Sequence, residues 1–311
     1  MTRTEVSEPV LVIAFNRPDH LRTLIDHLRQ VQPQRIFLAV DGPREGRPQE
    51  RDRVQACRDL ASAFDWPCTV ETLFQETNLG CGLGVSTAIT WFLGQVERGI
   101  VLEDDIIPDP SFFGFCAELL DRYADDDRVL AISGCNFVPP EFQTSPQDPY
   151  RFSQIPHIWG WATWRRAWDR HTLDIPDWRQ RVGIRRLWSR SGRSLAGALY
   201  WGSTFELLAR KEVDTWDGQL VLTAMQYGQL TATSNVNLVR NIGFDESATH
   251  TFEDRGDLQP VRPIALPTKP VSVVVDERAD AYTRRTHFRA STVGFMLQTA
   301  GYLRRKWRRT S

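Results

Sequence analysis

Gly99-Ile100-Val101-Leu102-Glu103-Asp104-Asp105-Ile106-Ile107-Pro108 sets three consecutive carboxylates between apolar residues. Ile100 to Leu102, a short apolar run after a glycine, reads as a central parallel strand of an α/β sheet. Ligands of such sheets bind beyond the carboxyl ends of the strands, which is where these acids fall. Clustered carboxylates repel one another and lose hydration when partly buried, so the position requires compensating cations or hydrogen-bond donors. A hard divalent ion with oxygen ligands, particularly one that also holds phosphates, meets that need. Asp125-Asp126-Asp127 is the contrast: it lies among polar neighbours between a helix and a strand and reads as a solvated loop or cap.

Working outward, strand and helix alternate. Val10–Phe15 reads as a first strand, and Arg17-Pro18-Asp19 opens a helix with Leu21, Leu24, Ile25 and Leu28 at helical spacing. Ile36–Val40 is a second strand ending at Asp41-Gly42-Pro43, Arg51–Phe64 a helix, Cys68–Phe74 a third strand and Gly84–Val96 a helix before the acidic strand. Ser111–Tyr123 reads as a helix and Val129–Ser133 as a strand. The pattern predicts an α/β fold, a mixed and mostly parallel sheet with helices on both faces. Pro139–Pro156 reads as a loop, Ile158–Trp168 is crowded with Trp, Leu187–Arg210 reads as helical, a helix follows Asp217, and Thr231–Arg240 has strand character. The proline-rich Gln259–Pro270 is expected to wrap the surface. Three segments follow: 1–138 as a nucleotide-sugar-binding half, 139–258 as an acceptor-binding and catalytic half of the same domain, and 259–311 as an extension with a basic amphipathic tail.

The 311 residues suffice for one large α/β domain, and 41% apolar with 25% charged residues argues against a disordered or fibrous chain. A net charge of -1 makes no case for nucleic acid as a partner. From Ala281 to Ser311 there are eight Arg or Lys and no Asp or Glu, interspersed with Phe288, Phe295, Tyr302 and Trp307. That segment reads either as an interfacial helix on an anionic membrane or as a docked helix with a solvated basic end. Five cysteines without C-x-x-C spacing point to a reduced, cytoplasmic setting. The amino terminus has no apolar core of a signal peptide, and no apolar run approaches the roughly 20 residues needed to span a bilayer. The expected location is cytoplasmic, or peripheral on the inner face of the membrane.

The order Val10-Leu11-Val12-Ile13-Ala14-Phe15-Asn16-Arg17-Pro18, Asp41-Gly42, Asn78-Leu79-Gly80, Glu103-Asp104-Asp105 resembles the donor half of GT-A (Rossmann-like) nucleotide-sugar glycosyltransferases. It is most similar to the N-acetylglucosaminyltransferase I-like group and to bacterial enzymes like those of glycosyltransferase family 2. The resemblance covers residues 9–136 and returns around Trp216–Thr251. It implies that Asp105 binds Mn²⁺ or Mg²⁺ bridging the donor diphosphate, with Glu103 and Asp104 contacting ribose or sugar. Asn16 and Arg17 would meet the nucleotide, Asp41 the base, and Asn78 and Gly80 the donor. Asp217, in Val213-Asp214-Thr215-Trp216-Asp217-Gly218, would be the general base of an inverting transfer, with Asp214 in reserve. His250 would complete the metal site.

Each of these residues also has a plainer structural reading. Asn16 and Arg17 serve equally as a helix cap and a solvated Arg, Asp41-Gly42-Pro43 as a turn, and Asp217 as a helix N-cap. Gly80-Cys81-Gly82-Leu83-Gly84 either lets backbone approach the donor or simply turns loop into helix. Trp159, Gly160 and Trp161 form either an acceptor platform or part of a core. The implied activity is metal-dependent transfer of a sugar from a nucleoside-diphosphate-sugar donor to a hydroxyl of a glycan or lipid-linked acceptor. The alternatives are a sugar nucleotidyltransferase, expected to carry a Gly-rich signature where this chain has Asn16-Arg17-Pro18, and a non-catalytic glycan- or membrane-binding protein.

Overall fold

A computed structural model describes residues 6–244 and 258–288. The chain runs β1 (Val10–Ala14), α1 (Pro18–Val31), β2 (Arg35–Val40), α2 (Pro48–Asp59), β3 (Thr69–Phe74), α3 (Gly80–Gln95) and β4 (Arg98–Glu103). It continues with β5 (Ile106–Pro108), α4 (Pro110–Arg122), β6 (Val129–Ser133), β7 (Tyr150–Ser153), β8 (Trp161–Trp164) and α5 (Arg165–Trp168). It ends with α6 (Trp178–Arg190), α7 (Leu195–Ala209), α8 (Asp217–Tyr227), β9 (Leu230–Ser234), β10 (Val239–Asn241) and α9 (Glu277–Thr286). Pro18 and Pro48 open α1 and α2, where a missing amide hydrogen leaves no helical bond unmade. Asp109 caps α4, its carboxylate accepting from the Ser111 amide at 2.9 Å.

The main sheet has eight strands in the order β3-β2-β1-β4-β8-β6-β9-β7. β3, β2, β1 and β4 are mutually parallel, β8 runs antiparallel to both β4 and β6, β9 follows β6, and β7 is reversed. The fold is therefore α/β with a mixed, mostly parallel, Rossmann-like sheet. One face buries Leu21, Leu24, Phe112 and Leu119 of α1 and α4, and the other buries Val85, Phe92, Trp168 and Leu220 of α3, α5 and α8. Register places the site: Ala14 lies opposite Val40, and Ile13 opposite Glu103. The ends of β1, β2 and β4 are thus level, and Phe15–Arg17, Asp41 and Asp104–Asp105 leave the sheet at one edge.

Four stretches differ from the sequence reading. The Gly-rich run is the first turn of α3 rather than a loop before it. The segment read as loop from Pro139 to Pro156 contains β7, which pairs antiparallel with β9 and is hydrogen-bonded to α9 through Ser153 and Asp280. Leu187–Arg210 holds two helices, because Gly192 (φ 73°) and Arg193 (φ 52°) turn the chain between α6 and α7. Thr231–Arg240 divides into β9 and β10, since Asn237 donates to the Val239 and Gln259 carbonyls at 2.8 and 2.6 Å instead of continuing a ladder. β10 then pairs with β5 in a separate two-stranded sheet. The proline-rich segment has only an isolated bridge, Asn237 to Val261, as expected of surface chain. The basic tail beyond Phe288 and His250 lie outside the described residues. Among the described residues no helix is long and apolar enough to cross a membrane.

A buried polar seam fixes α9 to β7. The Asp280 carboxylate accepts from the Ser153 hydroxyl at 2.6 Å and the Gln154 amide at 2.9 Å. Next to it, buried Arg151 donates to Asn136 and Asn235 side-chain oxygens, both at 2.9 Å. Burial pushes the Asp280 carboxyl up to about 6, with the Ser153 and Gln154 bonds opposing. A carboxyl whose folded value is raised favours folding while protonated, so its contribution falls as pH rises from 3.8 through about 6. Asp280→Asn keeps the two partners and removes the titration. Thermal melts should therefore show the wild type's advantage over Asp280→Asn shrinking between pH 4 and pH 7, and a constant difference would refute this account.

Candidate functional site

A cleft of about 380 Å³ opens at the carboxyl edge of β1, β2 and β4. Its lining includes the apolar residues Ala14, Phe15, Ala39, Val40 and Leu73 and the carboxylates Asp41, Glu103, Asp104, Asp105 and Asp214. The size suits a small ligand, and the mixed lining suits one that carries both an apolar ring and charge. Arg44 lies over the Phe15 ring, 5.5 Å from its centroid.

The acidic triplet separates into three environments. Glu103 is the last residue of β4; burial, and then Asp105 and Asp104, push its carboxyl up to about 8. Asp104 is 2% exposed, and its amide donates to the Ile13 carbonyl at 2.9 Å. Burial pushes its carboxyl up to about 7, against the pull of Arg17. Asp105 has more access to water, its side chain being 15% exposed. Arg17, reaching from the end of β1, forms a close ion pair with Asp104 and a second with Asp105 at 3.0 Å. Burial is the largest influence on the guanidinium and would lower it, but the two aspartates together hold it above its ordinary value. Arg17 is therefore internally paired rather than solvated, and Asp104 serves chiefly to hold Arg17.

A second carboxylate arrangement organises the start of α3. Asp41 accepts from the Asn78 side chain at 2.8 Å, the Leu79 amide at 3.0 Å and the Gly42 amide at 2.8 Å. Burial raises its carboxyl, and these backbone donors oppose the rise. Asn78 also donates to the Gly42 carbonyl at 3.0 Å, so its amide nitrogen binds the protein itself. Asp214 reaches the same helix from the α7–α8 connection, accepting from the Cys81 and Gly82 amides, both at 2.9 Å. These otherwise unpaired first-turn amides favour an anion, and a carboxylate satisfies them. Gly80, at φ 80°, and Gly82 leave no room for a side chain beside Asp214. At Gly84 a Cβ would lie 3.2 Å from the Asp41 carboxylate. The glycines thus admit two carboxylates rather than a bare loop.

Of the expected residues, Arg17, Asp41, Asn78, Gly80, Glu103, Asp104, Asp105 and Trp159 come together on the lining. Asn16 does not; it occupies the bend before α1. Asp217 is exposed at the first turn of α8 and accepts from the Thr215 hydroxyl at 2.5 Å and the Gly218 amide at 2.7 Å. The lining includes Asp214 instead. Trp161 is core: it is 1% exposed and stacks on Trp216 with centroids 5.5 Å apart. Gly160 is buried at φ 66°, where Val239 leaves no space for a Cβ. Sequence reasoning missed Arg44, Gln75, Asn241 and Gly243 on the lining. Asn241 and Gly243 approach because the Ile242 amide donates to the Asp105 carbonyl at 2.9 Å, a long-range contact with no local signature. Among the described residues no group of three or more His, Cys, Asp or Glu is arranged to hold a metal by itself.

No family model matches the chain. Among solved structures the chain is similar to HddC from Yersinia pseudotuberculosis, 12% identical over 51% of this chain and 77% of that one, TM-score 0.32. It is also similar to a putative glucose-1-phosphate thymidylyltransferase from Bacillus anthracis in complex with a sucrose, 10% identical over 52% and 73%, TM-score 0.31. A third is the inositol-1-phosphate CTP transferase from T. maritima, 10% identical over 74% and 85%, TM-score 0.32.

The two tryptophans of the Trp159-Gly160-Trp161 segment should separate in experiment. Trp161→Ala removes a fully buried stacked ring and should lower unfolding free energy by about 3–5 kcal/mol. Trp159→Ala, at the half-buried rim, should cost less than half of that in the same denaturant titration. Equal losses would place both rings in the core.

Proposed function

We propose that the protein is a metal-dependent glycosyltransferase that moves a sugar from a nucleoside-diphosphate-sugar to a hydroxyl of a glycan or lipid-linked acceptor, with inversion. The observation that carries this reading is the triplet at the end of β4: Asp104 is buried, Glu103 is half-buried, and Asp105 lines a cleft that also has apolar walls. Asp105 offers a hard oxygen ligand in a cleft with surplus negative charge, which fits Mn²⁺ or Mg²⁺ completed by phosphate and water. Such an ion, when bound, neutralises charge on the departing nucleoside diphosphate.

The chain's own residues account for the rest of the reading. Phe15, Val40 and Leu73 give the base an apolar slot, and Asp41, locked by Asn78 and the Leu79 amide, sets a fixed polar group at its edge. Arg17 keeps Asp104 and Asp105 from repelling each other and holds the Asp105 carboxylate in place. A carboxylate must take the proton of the acceptor hydroxyl as it attacks the anomeric carbon. Asp214 lines the cleft and is the preferred base; Asp217, three residues on at the first turn of α8, is the other candidate. Trp159 at the rim supplies an aromatic face for an acceptor ring.

Nucleotidyl transfer is the competing chemistry, and two of the similar structures bear such names. It requires a triphosphate, whose greater charge suits a basic loop after the first strand. Here Phe15-Asn16-Arg17-Pro18 follows β1, and among the described residues the cations on the lining are Arg17 and Arg44 against five carboxylates. Incubation with Mn²⁺ and a panel of nucleoside-diphosphate-sugars should release free nucleoside diphosphate. Asp105→Ala should reduce that release at least about 100-fold, as loss of a transition-state charge stabiliser does. Pyrophosphate release from a nucleoside triphosphate and a sugar 1-phosphate would overturn the proposal in favour of nucleotidyl transfer. Glycan binding without turnover of either kind would favour a non-catalytic protein.

A further inference from the structure

The α6–α7 hairpin has an inner face that is fully used and an outer face that is not. Trp178, Val182 and Leu187 of α6 and Ala198, Trp201 and Phe205 of α7 form a core with Val221 and Met225 of α8. Outside it, Ile184 is 77% exposed, Trp188 43%, Leu195 64% and Leu199 40%. Trp188 ends one turn of α6 just before the bend and Leu195 starts α7 just after it. Ile184 lies one turn back from Trp188, and Leu199 one turn on from Leu195, so each pair shares a helix face.

The charge that the hairpin itself carries between these helix ends is of one sign. Between Trp178 and Phe205 there are six arginines and no Asp or Glu. Arg179 and Arg181 pair with Glu206 and Asp177, each at 2.7 Å, and Arg190 donates to the Ala224 and Gln229 carbonyls. Arg185 and Arg193 are exposed and form no ion pair among the described residues. Phe288, the last described residue, packs on Tyr200 and Trp201 of α7. The chain therefore leaves for its remaining 23 residues, six of them basic and none acidic, from the side of this same hairpin.

We propose that the outer face of the α6–α7 hairpin is an interfacial docking surface for an anionic phospholipid bilayer. Ile184, Trp188, Leu195 and Leu199 enter the headgroup boundary, and Arg185 and Arg193 meet lipid phosphates. Apolar side chains with an indole ring, flanked by unpaired arginines, have the composition that partitions into such an interface. The proposal does not depend on the chemistry of the cleft, so the two stand or fall separately.

The test is flotation of the full-length protein with vesicles of phosphatidylcholine alone or with 30% phosphatidylglycerol. The wild type should float with the anionic vesicles, lose this in high salt, and not float with phosphatidylcholine alone. Trp188→Ser with Leu195→Ser should weaken the anionic association by about tenfold or more, and Arg185→Gln with Arg193→Gln by several-fold. These side chains are exposed, so thermal melts should match the wild type. A second full-length variant, with Arg304, Arg305, Lys306, Arg308 and Arg309 replaced by Gln, separates the tail's share. The proposal is overturned if the wild type does not float, or if hairpin variants float as the wild type does while the tail variant does not. It is equally overturned if light scattering shows a dimer that Trp188→Ser with Leu195→Ser dissociates, since the face then belongs to a second copy.

Discussion

The Arg17 guanidinium lying between Asp104 and Asp105 is the interaction on which the site depends. Three consecutive carboxylates at the end of a buried strand lose much of their hydration, and an effective penalty of several kcal/mol per buried ion follows unless a partner compensates. Arg17 supplies that partner because β1 and β4 are adjacent and parallel and end at the same level, so the residue just past β1 meets the residues just past β4. Among the described residues Glu103 forms no ion pair, and burial, then Asp105 and Asp104 beside it, raise its affinity for a proton. The cost of burying charge is thus handled by topology as much as by residue type.

The alternation of strands and helices through residue 133 was legible because the period of apolar residues and the Pro and Asp start signals act locally. The placement of Asp41 and the triplet at one edge was legible for the same reason, since strand ends can be read from a single sequence. The roles of Asp104 and Arg17 were not, because a solvated Arg and an ion-paired Arg have the same local sequence. Asp217 and Asp214 differ only in where the α7–α8 connection folds back, a matter of tertiary contact with α3. Trp161 and Trp159 are two residues apart in one strand region, and only the facing residue, Trp216 just before α8, puts one in the core and leaves the other half-buried. β7 was missed because its polar residues are satisfied inside the protein by Asp280, Asn136 and Asn235, so the segment lacks the apolar run of a buried strand.

Gly80 and Asp214 show how distant parts of the chain specify one another. A carboxylate 132 residues from the Gly82 amide caps α3, and it fits only because side chains are missing at Gly80 and Gly82. The same contact brings the α7–α8 connection to the cleft, so the beginning of α3 is at once a structural joint and a wall of the site.

The antiparallel strand β8 sits between β4 and β6 although it follows both in the chain. Until residues 161–164 are in place, two strands of the early sheet present open backbone edges to water, and no division of the polypeptide before β8 leaves either piece with a closed sheet. The segments before and after residue 138 are therefore not separable modules joined by a linker. They form one cooperative unit, in which unfolding of the later segment exposes the strand that carries the acids.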